Sequence, residues 1–187
     1  MLYHKSPIGK ICLIRRSGVI ETKGRTLMGK GQKKHFLFLD TTLNKVDAKG
    51  RVSIPADYRA LLEQQETELV AFRSFTQPCI ECRTSEMMEK MASDIDNSFA
   101  AFSNEQDDLT GLIFSDAKEF PFDSTGRIVL TEKLLTHAGI TDKALFVGKG
   151  RTFQIWNPDT YQEKEAGMRQ NALEKHFNIK NGGGSND

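Results

Sequence analysis

The sequence predicts an α+β fold built from two similar strand-rich halves, and three observations support this prediction. Residues 47–55, Asp-Ala-Lys-Gly-Arg-Val-Ser-Ile-Pro, recur as residues 123–131, Asp-Ser-Thr-Gly-Arg-Ile-Val-Leu-Thr. The correspondence continues downstream over about fifty residues, since short apolar runs follow each copy at matching distances. Each copy is also followed by a helical pattern. A repeat of this length constrains the whole fold, because both halves must adopt the same local structure.

The repeated motif itself favours a tight turn between two strands. Aspartate at the first position and glycine at the fourth are typical of a type I β-turn, so Asp47, Gly50, Asp123 and Gly126 are predicted to form the turns. Apolar residues alternate on both sides of the motif, which predicts a β-hairpin in each half. Every hairpin would then carry an arginine at its rim.

In the first half, the pattern predicts strands over 36–47 and 51–54, a helix from Pro55 to about Gln65, and strands over 68–73 and 78–83. Pro55 suits a first helical position because its missing N–H would have no helical partner. The buried helix face is predicted to carry Tyr58, Leu61 and Leu62.

The middle of the chain, residues 84–117, has an acidic helical pattern. Met87, Met88 and Met91 lie at helical spacing and are predicted to face the core. The pattern continues with apolar residues at positions 95, 99 and 102.

In the second half, strands are predicted over 119–123 and 127–130, then a helix from about Thr131 to Ala138 with Thr131 as N-cap and Gly139 after its end. A hairpin of strands 144–148 and 152–157 and a helix from about 158 toward Phe177 follow.

The predicted organisation is a basic arm over 1–35, a first repeat over 36–92, an acidic helical linker over 93–117, a second repeat over 118–165, and a helix end with a flexible tail over 166–187.

Charge is distributed unevenly along the 187 residues. Residues 1–35 hold nine Lys and Arg residues against one acid, Glu21; the remaining 152 residues have 17 basic and 24 acidic side chains, a net charge of −7. We expect the arm to be disordered, and Met28 is a candidate native start.

No apolar run approaches the ~20 residues that span a bilayer. Three cysteines, an odd number, favour a reducing cytoplasm over a disulfide-stabilised fold.

The sequence contains no recognisable set of residues typical of an enzyme active site. Cys79 and Cys82 lie in a predicted strand, where their side chains face opposite sides, so core packing is favoured over a metal or redox site. The run 148–151, Gly-Lys-Gly-Arg, lacks the spacing of a phosphate-binding loop and is predicted to be a hairpin turn. We therefore predict that the chain is not an enzyme and binds no cofactor or metal.

A nucleic-acid interface is the more specific hypothesis. The candidate DNA-binding residues are Lys45, Lys49, Arg51, Thr125 and Arg127. The alternative for each arginine is a surface ion pair with the aspartate four positions before it. Positive potential is expected to be stronger at the first turn, because Thr125 occupies the place of Lys49 in the second copy and several acids lie near it.

These residues resemble bacterial MraZ proteins. The resemblance rests on Asp-x-x-x-Arg occurring twice, as Asp47 to Arg51 and Asp123 to Arg127, and on the closing Ile155-Trp156. It covers about 36–165. It implies two AbrB-like repeats interlocked in one pseudo-symmetric, barrel-like unit.

The resemblance also implies a ring-shaped homo-oligomer on double-stranded promoter DNA of the division and cell-wall gene cluster. A cytoplasmic, nucleoid-associated transcriptional regulator would follow. The runner-up function is an oligomeric scaffold or antitoxin-like protein-binding module that uses the Met- and Phe-rich middle of the chain.

Overall fold

A computed structural model describes residues 37–175. The expectations for residues 1–35 and for the C-terminal tail lie outside these residues. The described chain contains eight strands and five helices, in agreement with the predicted α+β class. They are β1 Thr41–Lys45, β2 Arg51–Ser53, α1 Ala56–Gln64, β3 Leu69–Arg73, β4 Ile80–Thr84, α2 Ser85–Ser98, α3 Asn104–Phe114, β5 Lys118–Glu119, β6 Arg127–Val129, α4 Glu132–Ala138, β7 Lys143–Gly148, β8 Phe153–Trp156 and α5 Pro158–Lys175.

The two halves are interlocked through an antiparallel six-stranded sheet. Its order is β1-β7-β8-β4-β3-β5, so the first strand of each half pairs with the third strand of the other half. The second strands, β2 and β6, pair with each other in a separate two-stranded ribbon. Within residues 37–175 these strand pairs leave the six-stranded sheet open between β1 and β5.

The prediction of a hairpin at each repeated motif is wrong, although the turns form. β1 and β2 form no ladder with each other. The two sides of the first turn are linked by the isolated bridge between Val46 and Val52, by Asp47 N donating to Arg51 O, and by the Asn44 side chain donating to Ser53 O, whereas β2 pairs along its length with β6. The physical reason is burial: Val52 and Ile128 lie opposite each other in this ribbon, and each is only 1% exposed. An apolar side chain on each second strand is thus buried against the other half of the chain.

The strand predicted over 119–123 is also shorter than expected, since β5 contains only Lys118–Glu119. Pro121 has no backbone N–H and so cannot donate to the ladder. Of the strand predicted over 36–47, β1 contains only Thr41–Lys45, and Phe38 forms an isolated bridge with Gly150. The remaining predicted strands and helices are present with shifts of one or two residues at their ends. They include the β7–β8 hairpin and the cap of α4, where the Thr131 side chain accepts from Leu134 N and Gly139 adopts φ +62°.

The acidic middle forms two helices rather than one continuous pattern. α2 runs across position 93 and ends at Ser98; α3 then begins at Asn104. Met88 and Ile95 are buried in a small cluster with Val70, Phe72 and Ile113, and Met91 packs against it. Phe102 instead lies in the turn that connects α2 to α3, where it has φ +63° and is 99% exposed. The predicted apolar stripe therefore ends at Ile95.

The main core lies between the large sheet, the ribbon and helices α1 and α4. Its centre is an aromatic cluster of Phe38, Tyr58 and Phe153, whose ring centroids are 5.0–5.2 Å apart. The Tyr58 hydroxyl donates to the Asp40 carbonyl at 2.9 Å, so this buried phenol is satisfied.

Cys82 belongs to the main core, whereas Cys79 packs with Val147 and Trp156 on the other side of the sheet. Burial, followed by the nearby Glu81 carboxylate, raises the pKa of Cys79 to about 12 and raises that of Cys82 well above its usual value. Both thiols therefore stay protonated near neutral pH, and the thiolate is the form that binds metals and reacts.

Asp116 connects the middle segment to both halves. Its carboxylate accepts from Arg73 Nε at 2.7 Å and the Arg73 backbone N–H at 3.2 Å, and it pairs with Lys133 of α4. The side chain is only 4% exposed. Burial alone would raise its pKa, but the hydrogen bonds from Arg73 and Lys133 lower the pKa of Asp116 to about 2.

We predict that Asp116→Asn lowers the free energy of unfolding by about 2 kcal/mol at pH 7, because a pKa reduced from 3.8 to about 2 stabilises the folded state by that order. A carboxyl whose pKa is lower in the folded than in the unfolded protein stabilises the folded state at pH values above its unfolded-state pKa. This stabilisation is lost as the pH falls through its folded-state pKa. The difference between wild type and variant in urea unfolding should therefore be constant above about pH 5 and shrink between about pH 4 and pH 2.

The matched control is Asp94→Asn, which removes an exposed pair with Lys90 on α2, where both side chains are more than 60% exposed. We expect a change of at most about 0.5 kcal/mol there. Equal effects of the two substitutions would show that Asp116 does not join the halves.

Candidate nucleic-acid interface

The first turn, residues 47–50, is built by one carboxylate. Gly50 N donates to Asp47 O at 2.9 Å, which closes the turn, and Gly50 has φ +74°. Asp47 Oδ1 accepts from the backbone N–H groups of Lys49 and Arg51, both at 2.9 Å. Asp47 Oδ2 accepts from Arg51 Nε at 2.6 Å. One aspartate thus fixes both the backbone of the turn and the direction of the arginine that follows it.

The second turn, residues 123–126, repeats this arrangement. Gly126 N donates to Asp123 O at 2.9 Å with φ +74°, and Arg127 Nε donates to Asp123 Oδ2 at 2.9 Å. The backbone N–H groups of Thr125 and Arg127 donate to Asp123 Oδ1. The Thr125 hydroxyl adds a bond to the same oxygen at 2.7 Å, so it is turned toward the aspartate.

Both aspartates are held in the charged form. The Arg51 backbone N–H contributes most to lowering the pKa of Asp47, and the Thr125 hydroxyl contributes most at Asp123, where the pKa is well below its usual range. The predicted ion pairs therefore exist. Each uses only Nε of its arginine; within residues 37–175 the terminal guanidinium nitrogens of Arg51 and Arg127 have no hydrogen-bond partner. Those four nitrogens remain able to donate to an incoming acceptor.

The ribbon places both arginines on one outward face. Arg51 lies opposite Val129 and Ser53 lies opposite Arg127, while the intervening pair Val52 and Ile128 faces the core. Because side chains alternate along a strand, the four flanking residues share the solvent side. Arg51 and Arg127 are therefore diagonal neighbours, separated by two residues, or about 7 Å, along the ribbon.

Further hydrogen bonds hold the turns at the two ends of this ribbon. Leu130 N donates to Gly50 O at 2.9 Å, and Ile54 N donates to Gly126 O at 3.1 Å. Ser53 and Val129 also belong to this surface, although neither was predicted as a site residue from the sequence. The alternation of exposed and apolar residues after each arginine is the signal that predicts them.

The structure also shows the positions of the candidate lysines. Lys49 is exposed at the tip of the first turn. Lys45 ends β1 and is paired with Lys143 of β7, on the side of the sheet away from the core residues Ala144 and Phe146. Two like charges directly opposite each other in a sheet are unfavourable without a counter-ion. Sequence reasoning missed Lys143, because it depends on pairing between the halves.

Comparison with known proteins follows the same division of the chain. A family model described as "MraZ protein, putative antitoxin-like" matches residues 37–109 and again 113–179. These two segments contain the two turns and their arginines. The chain belongs to the MraZ family.

Relatives in the MraZ family span most of the chain. The protein named "Transcriptional regulator MraZ" from Gluconobacter oxydans (strain 621H) is 44% identical over 140 residues, 73% of this chain and 85% of that protein. Proteins with the same name from Pelagibacter ubique (strain HTCC1062) and Rickettsia canadensis (strain McKiel) are 39% and 38% identical, and cover 78% of this chain each. Those alignments include 99% and 97% of the relatives.

Among residues 37–175, no helix combines the length and the apolar character needed to cross a bilayer.

We predict that Gly50→Ala destabilises the protein by at least about 1–2 kcal/mol, since φ +74° is unfavourable for an L-residue by that amount. A Cβ at this position would also lie 2.5 Å from the backbone oxygen of Leu130, at the end of the ribbon. Urea unfolding measures the effect.

Two glycines provide controls. Gly139→Ala has a similar φ of +62° with open space around it, so it isolates backbone strain from crowding. Gly167 lies inside α5 with open space, and Gly167→Ala should stabilise by about 0.5–1 kcal/mol. A Gly50→Ala protein as stable as wild type would contradict the close packing of the first turn against β6.

Proposed function

We propose that the chain is a sequence-specific DNA-binding transcriptional regulator of the MraZ type that acts on the promoter of the division and cell-wall gene cluster. The observation that carries this proposal is the pair of aspartate-held arginines on one outward ribbon face. The name of the relatives, transcriptional regulator, supports the same function. A cytoplasmic protein associated with the nucleoid is part of this proposal.

The geometry suits the major groove of DNA. A two-stranded ribbon fits that groove, and an arginine that donates two hydrogen bonds can select guanine through O6 and N7. Arg51 and Arg127 each retain a terminal pair of nitrogens for such a contact. Lys45 and Lys49 are assigned to phosphate contacts, which position the protein without selecting a sequence.

Replacement of Arg51 or Arg127 by Ala is expected to reduce affinity for duplex DNA from the region upstream of its own gene by about 10- to 100-fold each. This follows from a value of about 1–3 kcal/mol for an arginine–guanine contact. Fluorescence anisotropy measures affinity, and circular dichroism verifies the fold.

The control is Arg169→Ala on α5, which removes another exposed arginine with an acidic partner, Glu165, four residues away. It should bind DNA like wild type. If Arg51→Ala and Arg127→Ala also bind like wild type while folded, the ribbon face is not the DNA-binding surface.

The proposal includes a ring-shaped homo-oligomer. Residues 36–187 carry a net charge of −7, which opposes DNA binding, and two arginines make few contacts. Rotational assembly would place several ribbons on one DNA, where tethered sites bind at high effective concentration.

Multi-angle light scattering is expected to give a mass of several times 21.0 kDa at the concentrations used for DNA binding. A monomer that still binds the upstream duplex with nanomolar affinity would contradict the assembly and leave the ribbon assignment intact.

A protein-binding module is the second candidate, and one observation favours it. Phe102 is fully exposed at the turn between α2 and α3, and Phe99, about one-third exposed, is nearby in sequence. Large exposed aromatic residues are typical of protein contacts. Salt separates the two functions: the logarithm of DNA affinity falls linearly with the logarithm of salt concentration, whereas a contact through Phe102 would vary little.

A further inference from the structure

The helices packed against the two turns come from opposite halves of the chain. Because β2 and β6 are antiparallel, the end of β2 lies beside the second turn, and α1 begins there. Ile54 N, at the end of β2, donates to Gly126 O. By the same relation α4 begins beside the first turn, where Leu130 N donates to Gly50 O.

Equivalent positions on these two helices carry different side chains. Arg59 of α1 and Leu135 of α4 are each the fourth residue of their helix, and their backbone N–H groups donate to Pro55 O and Thr131 O, both at 3.0 Å. Leu135 lies against Gly50: its Cδ1 is 3.3 Å from the position that a Cβ there would occupy.

Arg59 covers the second turn in the same way but brings a charge. Its Cδ and Cζ lie 2.8 and 2.7 Å from the position of a Cβ on Gly126, and its Nη1 donates to Thr125 O at 3.4 Å. Its side chain is 33% exposed, and its nearest acidic partner is Glu63, with Nε and Oε1 3.7 Å apart. This separation is too long for a strong hydrogen bond, so most of the guanidinium's donors remain available.

The difference between Arg59 and Leu135 compensates for the difference between Thr125 and Lys49 at the tips of the two turns. The first turn has Lys49 at its tip and Arg51 at its rim, with apolar Leu135 behind it. The second turn has Thr125 at its tip and Arg127 at its rim, with Arg59 behind it. Each turn therefore has two cations, although only the first obtains both from its own motif. The sequence-based expectation of a stronger positive potential at the first turn was made from the turn residues and the nearby acids. It did not include Arg59, which reaches the second turn from α1.

We propose that Arg59 is a DNA-phosphate-binding residue that supplies the second turn with the cation that Lys49 supplies to the first. This inference rests on the proposed DNA-binding function. The guanidinium's planar fork fits phosphate oxygens, and its place beside the second turn aligns it with the backbone that flanks a base contacted by Arg127.

Arg59→Leu provides the sharpest test, because it gives the second turn the residue that the first turn has behind it. We define the salt slope as the slope of log affinity against log NaCl concentration, measured with the upstream duplex between 50 and 200 mM. Loss of one phosphate contact flattens this slope by about 0.9 per bound subunit. Between 50 and 200 mM NaCl, the fold-loss of affinity should therefore be roughly three times smaller for the variant than for wild type.

Two further variants separate charge from structure. Arg59→Lys should keep the wild-type salt slope. Arg59→Gln retains a donor for Thr125 O without the charge, and it should flatten the slope as Arg59→Leu does. It also keeps the test valid if Arg59→Leu fails to fold. Leu135→Arg adds the equivalent cation behind the first turn and should steepen the slope. Thermal unfolding of each variant records structural effects.

The outcomes are distinguishable from failure of the proposed function. A wild-type salt slope in Arg59→Leu or Arg59→Gln, together with weakened binding in Arg51→Ala, would overturn the role of Arg59 and leave DNA binding in place. If Arg51→Ala and Arg127→Ala also bind like wild type, the proposed function itself fails. A flattened slope in Arg59→Lys would contradict a role based on charge.

Discussion

The pairing of β2 with β6 is the constraint on which the rest of this structure depends. Each strand has only three residues, and each contributes one buried apolar side chain, Val52 or Ile128, to the common core. A strand so short has few hydrogen bonds of its own, so it depends on the equivalent strand of the other half. β1 and β5 likewise pair with strands of the opposite half, β1 with β7 and β5 with β3. Both turns are consequently held by the fold as a whole.

Within this frame, the two aspartates determine what the arginines can do. An unrestrained arginine loses considerable side-chain entropy when it binds. Asp47 and Asp123 fix Nε of Arg51 and Arg127 beforehand and leave the terminal nitrogens available. The ion pair of each arginine is thus compatible with the proposed DNA contact through the same side chain. The negative charge next to each arginine is also compensated by one further cation at each turn, Lys49 or Arg59.

Local features of this fold were predictable from the sequence, and pairing between the halves was not. The Asp-x-x-Gly turns, the helix beginning after Pro55 and the cap at Thr131 depend on neighbouring residues, so the motif predicts them. The partner of β2 depends on where Ile128 is buried, 76 positions away, and the local alternation equally suits a hairpin. Arg59 and Lys143 were missed for the same reason: each reaches the candidate surface only because the halves are interlocked.

Hydrogen–deuterium exchange with and without DNA tests the central claim, that both turns of one ribbon face the same DNA, most directly. On addition of the upstream duplex, but not of a scrambled duplex, peptides covering 47–53 and 123–129 should become protected together. Peptides covering the α2–α3 hairpin, residues 85–114, should exchange as they do without DNA. Protection confined to that hairpin, or to one turn while the other remains unchanged, would contradict a single surface formed by both halves.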